Sequence, residues 1–569
     1  VGDISLRYKG NTNTLITSEA GIINRGLDSL TGNTSPENIT FANAQVDLGP
    51  SHANRAGVPT GFAVPASSDN SIIDYPNSDY ETINIDPSKI TTTDIRWDNG
   101  TAADASAHSW DVTTTPAVST PNYVTDGDDN LVSADGVLRV NLAENGTNII
   151  KYYTYEYTVP DTYTKGTQRV GNLTGDISGT YYYGISSSNS GIIIENTSQD
   201  YYNISADFIG NTTTGDRGAI FNKSGGKINS ITGTFINNKG KSGGAITTTS
   251  SGGTINSITG YFIGNEATGN DDGGAISAYG SGYIGSISGT FIGNRSGRHG
   301  GAISFGNAQA GSGGTIEGTF IGNYATSDGG AINTRNTSTV VNSISGTFIN
   351  NQAGGSGGAI INGGKINSIQ NSIFYGNTSG SYGSAIYTTG GTINIYDSDF
   401  INNYSSSANG TAIYMTNSNV NIYANTDNVL FSGNKAGSDY VDIYFSTTNK
   451  LNLYASDGQS ITFDGSIKTD NTSKIYTINN GNSYTGTVVL NGAVVNAQTK
   501  LVNGTLKLGN DNNLDNTILN FHGGTLDLIN ESVGTMSLKE LQFNTTADKN
   551  LKFDIDLAGA NVTSRSDKI

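Results

Sequence analysis

The sequence predicts an all-β chain, wound as a right-handed parallel β-helix with three strands per coil. Three observations predict it. First, all nine prolines lie between Pro36 and Pro160, and residues 161–569 contain none. A long proline-free stretch suits a continuously hydrogen-bonded sheet, because proline cannot donate to a ladder. Second, a Phe-x-x-Asn phrase recurs with Phe at 208, 235, 262, 291, 320, 348, 374, 400 and 431, in steps of 27, 27, 29, 29, 28, 26, 26 and 31 residues. Third, Gly-Gly-Ala-Ile or a variant follows each Phe. Its alanines are Ala219, Ala245, Ala275, Ala302, Ala331, Ala359, Ala385 and Ala412, and Asp442 takes that place in the ninth copy.

Each repeat of about 27 residues holds three short β-type segments separated by Gly, Asn and Ser turns, with no 3.6-residue period. One coil cannot bury its own face, so coils must stack, at the ~4.8 Å spacing of paired strands. Stacking in register puts Asn211, Asn238, Asn265, Asn294, Asn323, Asn351, Asn377, Asn403 and Asn434 in one column, where their amides form a ladder. The phenylalanines form an aromatic column beside it. The glycines before Ala-Ile permit a positive φ at a corner. Whether Ala or Ile points inward is not set by alternation.

Three regions follow. Residues 1–165 hold every Pro and both Trp, and cap or extend the helix; residues 166–445 are the repeat; residues 446–569 are shorter coils. In the last region Gly486-Thr, Gly504-Thr and Gly524-Thr are spaced by 18 and 20 residues, with a turn at 510–515.

Composition excludes several function classes. The net charge is −18, which repels phosphate backbones and argues against a nucleic-acid partner. There is no cysteine, hence no disulfide and no Cys-ligated zinc. No apolar run reaches the ~18 residues of a membrane-spanning helix. No cofactor and no catalytic residue is expected. Gly240-Lys-Ser-Gly-Gly244 and Gly354-Gly-Ser-Gly-Gly358 fit a loose nucleophile pattern but lack the strand-to-helix elbow that pattern needs.

Three groups of residues remain as candidates. The residue preceding Gly-Gly is Asp272, His299 and Asp328 on consecutive coils. A histidine between carboxylates has a raised pKa and suits acid/base or metal chemistry; the alternative is a solvated turn column. Asp126, Asp128 and Asn130 resemble the start of a calcium loop without its Gly and Glu, so a polar turn is the expectation. The third group is aromatic. Tyr153, Tyr155 and Tyr157 share one face of an alternating strand, with Trp97, Trp110, Tyr181, Tyr182 and Tyr183 in the same part of the chain. These residues either bind glycan or protein or cover the open end of the helix, which must be capped.

The pairing of Gly-Gly-Ala-Ile with Phe-x-x-Asn resembles the repeats of polymorphic outer-membrane proteins, which are autotransporters of type V secretion. The Gly-Thr-Leu coils and Phe553-Asp-Ile-Asp-Leu-Ala558 look like the C-terminal part of an autotransporter passenger. The resemblance covers about residues 205–569 and implies a passenger delivered to the bacterial surface through a C-terminal barrel. No alternating barrel strands with aromatic girdles occur here, so the expectation is a passenger without signal peptide or translocator. The expected function is a cell-surface adhesin binding host glycans or surface and matrix proteins. Homophilic self-association is the alternative, and a polysaccharide lyase or hydrolase a second.

Overall fold

The computed structural model describes residues 170–552, except 183, 187–192, 214–216, 250–251, 270–272, 307–311, 409, 447–449, 531–535 and 544–548. It also describes backbone alone for residues 182, 185–186 and 312–313 and for eight strands between Ile4 and Thr158. Among these strands, Leu131–Glu144 and Thr147–Thr158 pair antiparallel along their length. From residue 170 the chain is a parallel right-handed β-solenoid of about 12 turns with repeats of ~27 residues. Among the described residues there is no α-helix, and a single 3-10 turn at Asp511–Leu514.

Each central coil has three faces. Face A is a long strand such as Lys227–Ile236, face B a two-residue strand such as Lys239–Gly240, and face C a three-residue strand such as Ile246–Thr248. Every strand pairs in parallel with its equivalent one coil later: Phe235 with Phe262, Lys239 with Glu266, Ile246 with Ile276. The residue before each ladder asparagine explains the A-to-B corner. It is Gly or Asn at all nine copies, with φ between 51° and 67° (Asn237 and Gly433 mark the ends of that range). Only Gly and Asn tolerate that left-handed corner readily. The first glycine of Gly-Gly makes the other expected corner, as at Gly300 with φ 65°.

The core is one continuous apolar column. Phe208 through Phe463 stack coil on coil, with ring centroids 4.6–5.1 Å apart. Ala and Ile of Ala-Ile are both fully buried and both belong to the core cluster. The asparagine ladder forms as expected. Asn323 Nδ2 donates to Asn351 Oδ1 at 2.9 Å and to the Phe291 carbonyl at 2.9 Å, while its Oδ1 accepts from Asn294. The same pattern runs from Asn211 to Asn403. All amides point the same way, so each bond polarises the next.

The coil changes shape in two steps. Gly233, Gly260, Gly289, Gly318 and Gly346 occupy one column of face A, where a Cβ would overlap a carbonyl oxygen of the preceding coil. The column ends at Asn371, which sits at φ 48° in a register shift. One coil later the long strand has split into Thr392–Tyr396 and Asp399–Ile401. Face B then ends at Lys435–Ala436, which folds back antiparallel on Asp439–Phe445. Beyond it Thr487, Thr505 and Thr525 pair in sequence, the short coils read from the glycine spacing.

Candidate functional site

The ladder needs an end, and Asp442 supplies it. Asn434 Nδ2 donates to Asp442 Oδ1 at 2.8 Å, and the Gly465 amide donates to Oδ2 at 2.7 Å. The carboxyl group is fully buried, and burial pushes its pKa up to about 7, although both hydrogen bonds oppose this. The residue that breaks the Ala column is therefore the acceptor that closes the amide chain. This role is structural.

The polar column contains one close pair. Asp272 lies outside the described residues. His299 is 4% exposed, and its Nδ1 accepts from the Asp328 backbone amide at 3.3 Å. The Asp328 carboxylate accepts from Arg335 Nη1 at 2.8 Å and from the Ser356 amide at 2.8 Å. The raised pKa expected for His299 is wrong in sign. Burial lowers it to about 4, the Asp328 charge opposes this, and Arg298 and Arg335 lower it further. His299 is a neutral hydrogen-bond acceptor in a corner. Among the described residues no group of His, Asp and Glu could hold a metal ion. Asp126, Asp128 and Asn130 lie outside them.

Of the aromatic candidates, only the side chain of Tyr181 is described. Its ring stacks on Phe208 with centroids 5.3 Å apart, so it opens the core stack and is half-buried, not an exposed platform. The side chains of Trp97, Trp110, Tyr153, Tyr155, Tyr157, Tyr182 and Tyr183 lie outside the described residues; the backbone of Tyr153 pairs with that of Leu138.

The structure brings other tyrosines together. On the outer side of face C the column runs Thr247, Ser277, Ser304, Asn333 and Ile361, all buried, then Tyr387, Tyr414 and Tyr444, all partly exposed. Tyr382, from the Gly-Gly corner, leans onto this row. Its ring lies 4.5 Å from Tyr414 and 6.1 Å from Tyr387, each at 33°, and Tyr387 meets Tyr414 at 52°. On face A a second row, Tyr396, Tyr423 and Tyr454, stacks at 4.6 and 4.7 Å, and Tyr484 lies across it at 50° to Tyr454. Burial pushes Tyr414 and Tyr423 up to about 12. Both rows stay neutral at physiological pH. A sequence signal existed: Ile-Tyr recurs at 386–387, 413–414 and 443–444, and Ile-Tyr or Leu-Tyr at 395–396, 422–423 and 453–454.

Residues 317–335 match the family model of the Chlamydia polymorphic membrane protein repeat. That stretch carries Phe320, Asn323, Asp328, Gly329-Gly-Ala-Ile332 and Arg335. Neither a curated protein nor a solved structure matches the chain. The repeat and the β-solenoid fit a surface-exposed, autotransporter-like passenger of the outer membrane.

Proposed function

We propose that this chain is an adhesin, a rigid rod that presents lateral binding surfaces to host glycans or surface proteins. The observation that carries the reading is the pair of tyrosine rows on the outside of coils 382–484. Partly exposed tyrosines supply contact area at low entropy cost and a polar handle, as recognition surfaces require. They are concentrated where the coil changes shape, whereas on face C the matching positions upstream, from Thr247 to Ile361, are buried. Such a face binds without chemistry, and we read the chain as a binding protein, not an enzyme. Rods that display weak sites gain strength by multivalency.

The test is adhesion of beads coated with the full chain to host cells and to immobilised matrix proteins. Beads with Tyr387→Ala/Tyr414→Ala/Tyr423→Ala should lose most of the adhesion of the wild type. Wild-type beads that adhere to nothing but one another would replace this reading with self-association.

A further inference from the structure

The chain holds seven Asn-Gly pairs, and the fold restrains them unequally. Such a pair carries its own chemistry. Glycine has no Cβ to shield its amide nitrogen, which can attack the side-chain carboxamide of the asparagine before it. Asn99, Asn145 and Asn409 lie outside the described residues. Three of the other four are held. Asn362 is fully buried, its Nδ2 donates to Thr388 Oγ1 at 3.1 Å, and the Gly363 amide donates to the Thr334 carbonyl. Asn491 Nδ2 donates to Asp464 Oδ1 at 2.7 Å, and the Gly492 amide donates to the Phe463 carbonyl. Asn503 is half-buried in a turn whose flanking amides, of Val502 and Thr505, are both bonded, and a Cβ at Gly504 would overlap the Gly486 carbonyl.

Asn480 has neither kind of restraint. It is exposed, and among the described residues neither its side chain nor the Gly481 amide has a protein hydrogen-bond partner. The ends of its loop are fixed all the same. Asn479 Oδ1 accepts from the Ala455 amide at 2.8 Å, its Nδ2 donates to the Gly486 carbonyl at 3.0 Å, and the Gly486 amide donates to the Ala455 carbonyl at 3.0 Å. Between these ends Tyr484 returns onto Gly481. Its amide donates to the Gly481 carbonyl at 3.3 Å, and a Cβ at Gly481 would lie 3.6 Å from its ring. The same ring lies 4.8 Å from Tyr454 of the face A row.

We infer that Asn480 is a site of spontaneous deamidation, and that its isoaspartate product shifts Tyr484 off the face A tyrosine row. The Gly481 nitrogen bonds to the side-chain carbonyl carbon of Asn480 and gives up its proton to water. The side-chain nitrogen takes a proton and leaves as ammonia. Water then opens the five-membered imide at either carbonyl, to aspartate or to isoaspartate. The sum is water consumed and ammonia released, with no oxidation. Isoaspartate lengthens the backbone by a methylene and leaves a carboxylate where no charge stood. With both ends pinned, the loop that carries Tyr484 must take up that length. The chemistry does not depend on the adhesin reading, but it alters one of the surfaces that reading uses.

The test ages the full native chain in neutral and mildly alkaline buffer, then maps isoaspartate by mass spectrometry and by isoaspartyl methyltransferase labelling. Asn480 should convert about tenfold or more faster than Asn362, Asn491 and Asn503, which must first open bonded or packed turns. Its rate should rise with pH, since the attacking nitrogen must lose its proton. In denaturant the other three should approach the rate of Asn480. Asn480→Gln should remove the fast product while keeping the melting temperature of the wild type. A fluorinated ring at Tyr484 should give a new resonance, more strongly broadened by a soluble paramagnet, that grows with the isoaspartate and stays absent in Asn480→Gln. Native conversion at Asn480 no faster than at the other three overturns the site. A Tyr484 resonance unchanged as isoaspartate accumulates overturns the shift of the ring.

Discussion

The coils of residues 202–445 and those of residues 450–528 solve the same problem with different residues. Both bury one apolar column between parallel strands. The first set is three-faced, and its interior is Phe and Ile with a buried asparagine ladder at one corner. The second set has lost face B, and its interior is mainly Leu and Val, such as Leu490, Leu501, Leu506, Leu508 and Leu519. The difference teaches what the ladder is for. A third face adds a sharp corner, whose buried backbone groups need partners. One asparagine per coil supplies them: its amide donates to a carbonyl, and its oxygen accepts the amide of the asparagine before it. Where the corner disappears the asparagine is no longer needed, and Asp442 closes the chain.

This comparison can be broken in order of expected effect. Phe320→Ala should cost about 3–5 kcal/mol, because the ring is fully enclosed and its two neighbours stand 4.8 Å away on either side. Asn323→Ala leaves the Asn294 side-chain and backbone donors without their acceptor, at about 1–3 kcal/mol each. Hydrogen exchange should show protection lost across several neighbouring coils of the ladder and retained in residues 487–508. Equal loss in both regions would show that the ladder does not act apart from the shorter coils.

Acid should move two segments of the ladder-bearing coils in opposite directions, the corner at His299 and the end of the ladder at Asp442. The folded pKa of His299, about 4, lies below the ordinary 6.5, so the native state binds fewer protons than the unfolded chain. Its contribution is present above pH 6.5 and is lost as pH falls through about 4. The folded pKa of Asp442, about 7, lies above the ordinary 3.8, and the neighbouring Asp464 charge raises it too. Its contribution is full below pH 3.8 and is lost as pH rises through about 7. Between pH 7 and pH 4, amide protection should therefore fall around residues 299–328 and rise around residues 434–467. His299→Gln and Asp442→Asn should each abolish the trend in their own segment only.

The smallest effect sharpens the comparison from outside. Asn452 also bonds an asparagine one coil away, Asn421, at 2.8 Å, but on the outer side of face A and only half-buried. Asn452→Ala should cost about 0.5–1.5 kcal/mol, seen as a small shift in denaturant midpoint. A cost equal to that of Asn323→Ala would mean that burial does not set the value of a ladder bond.

The fold was legible because a solenoid writes its contacts into the period of its sequence. Asn323 meets Asn351 and Phe320 meets Phe348 for the same reason that each recurs. The tyrosine cluster was less legible. The triple recurrence of Ile-Tyr marks a column, but Tyr382 reaches Tyr414 from a different corner of the preceding coil, and no spacing reveals that. His299 was read with the wrong sign because its neighbours in the column are acidic, while its burial and the return of Arg335 onto Asp328 are tertiary facts.

The sequence by itself determined the coil, its three segments, its register and the identity of the ladder, since identical residues at one period can stack only on themselves. Tertiary structure alone decided three things: which outer columns are covered and which are open, how Asp442 ends the amide chain, and which rings lie tilted to one another. Each depends on which side chains neighbouring coils bring together, and that is set by packing between coils, not by the order of residues within one.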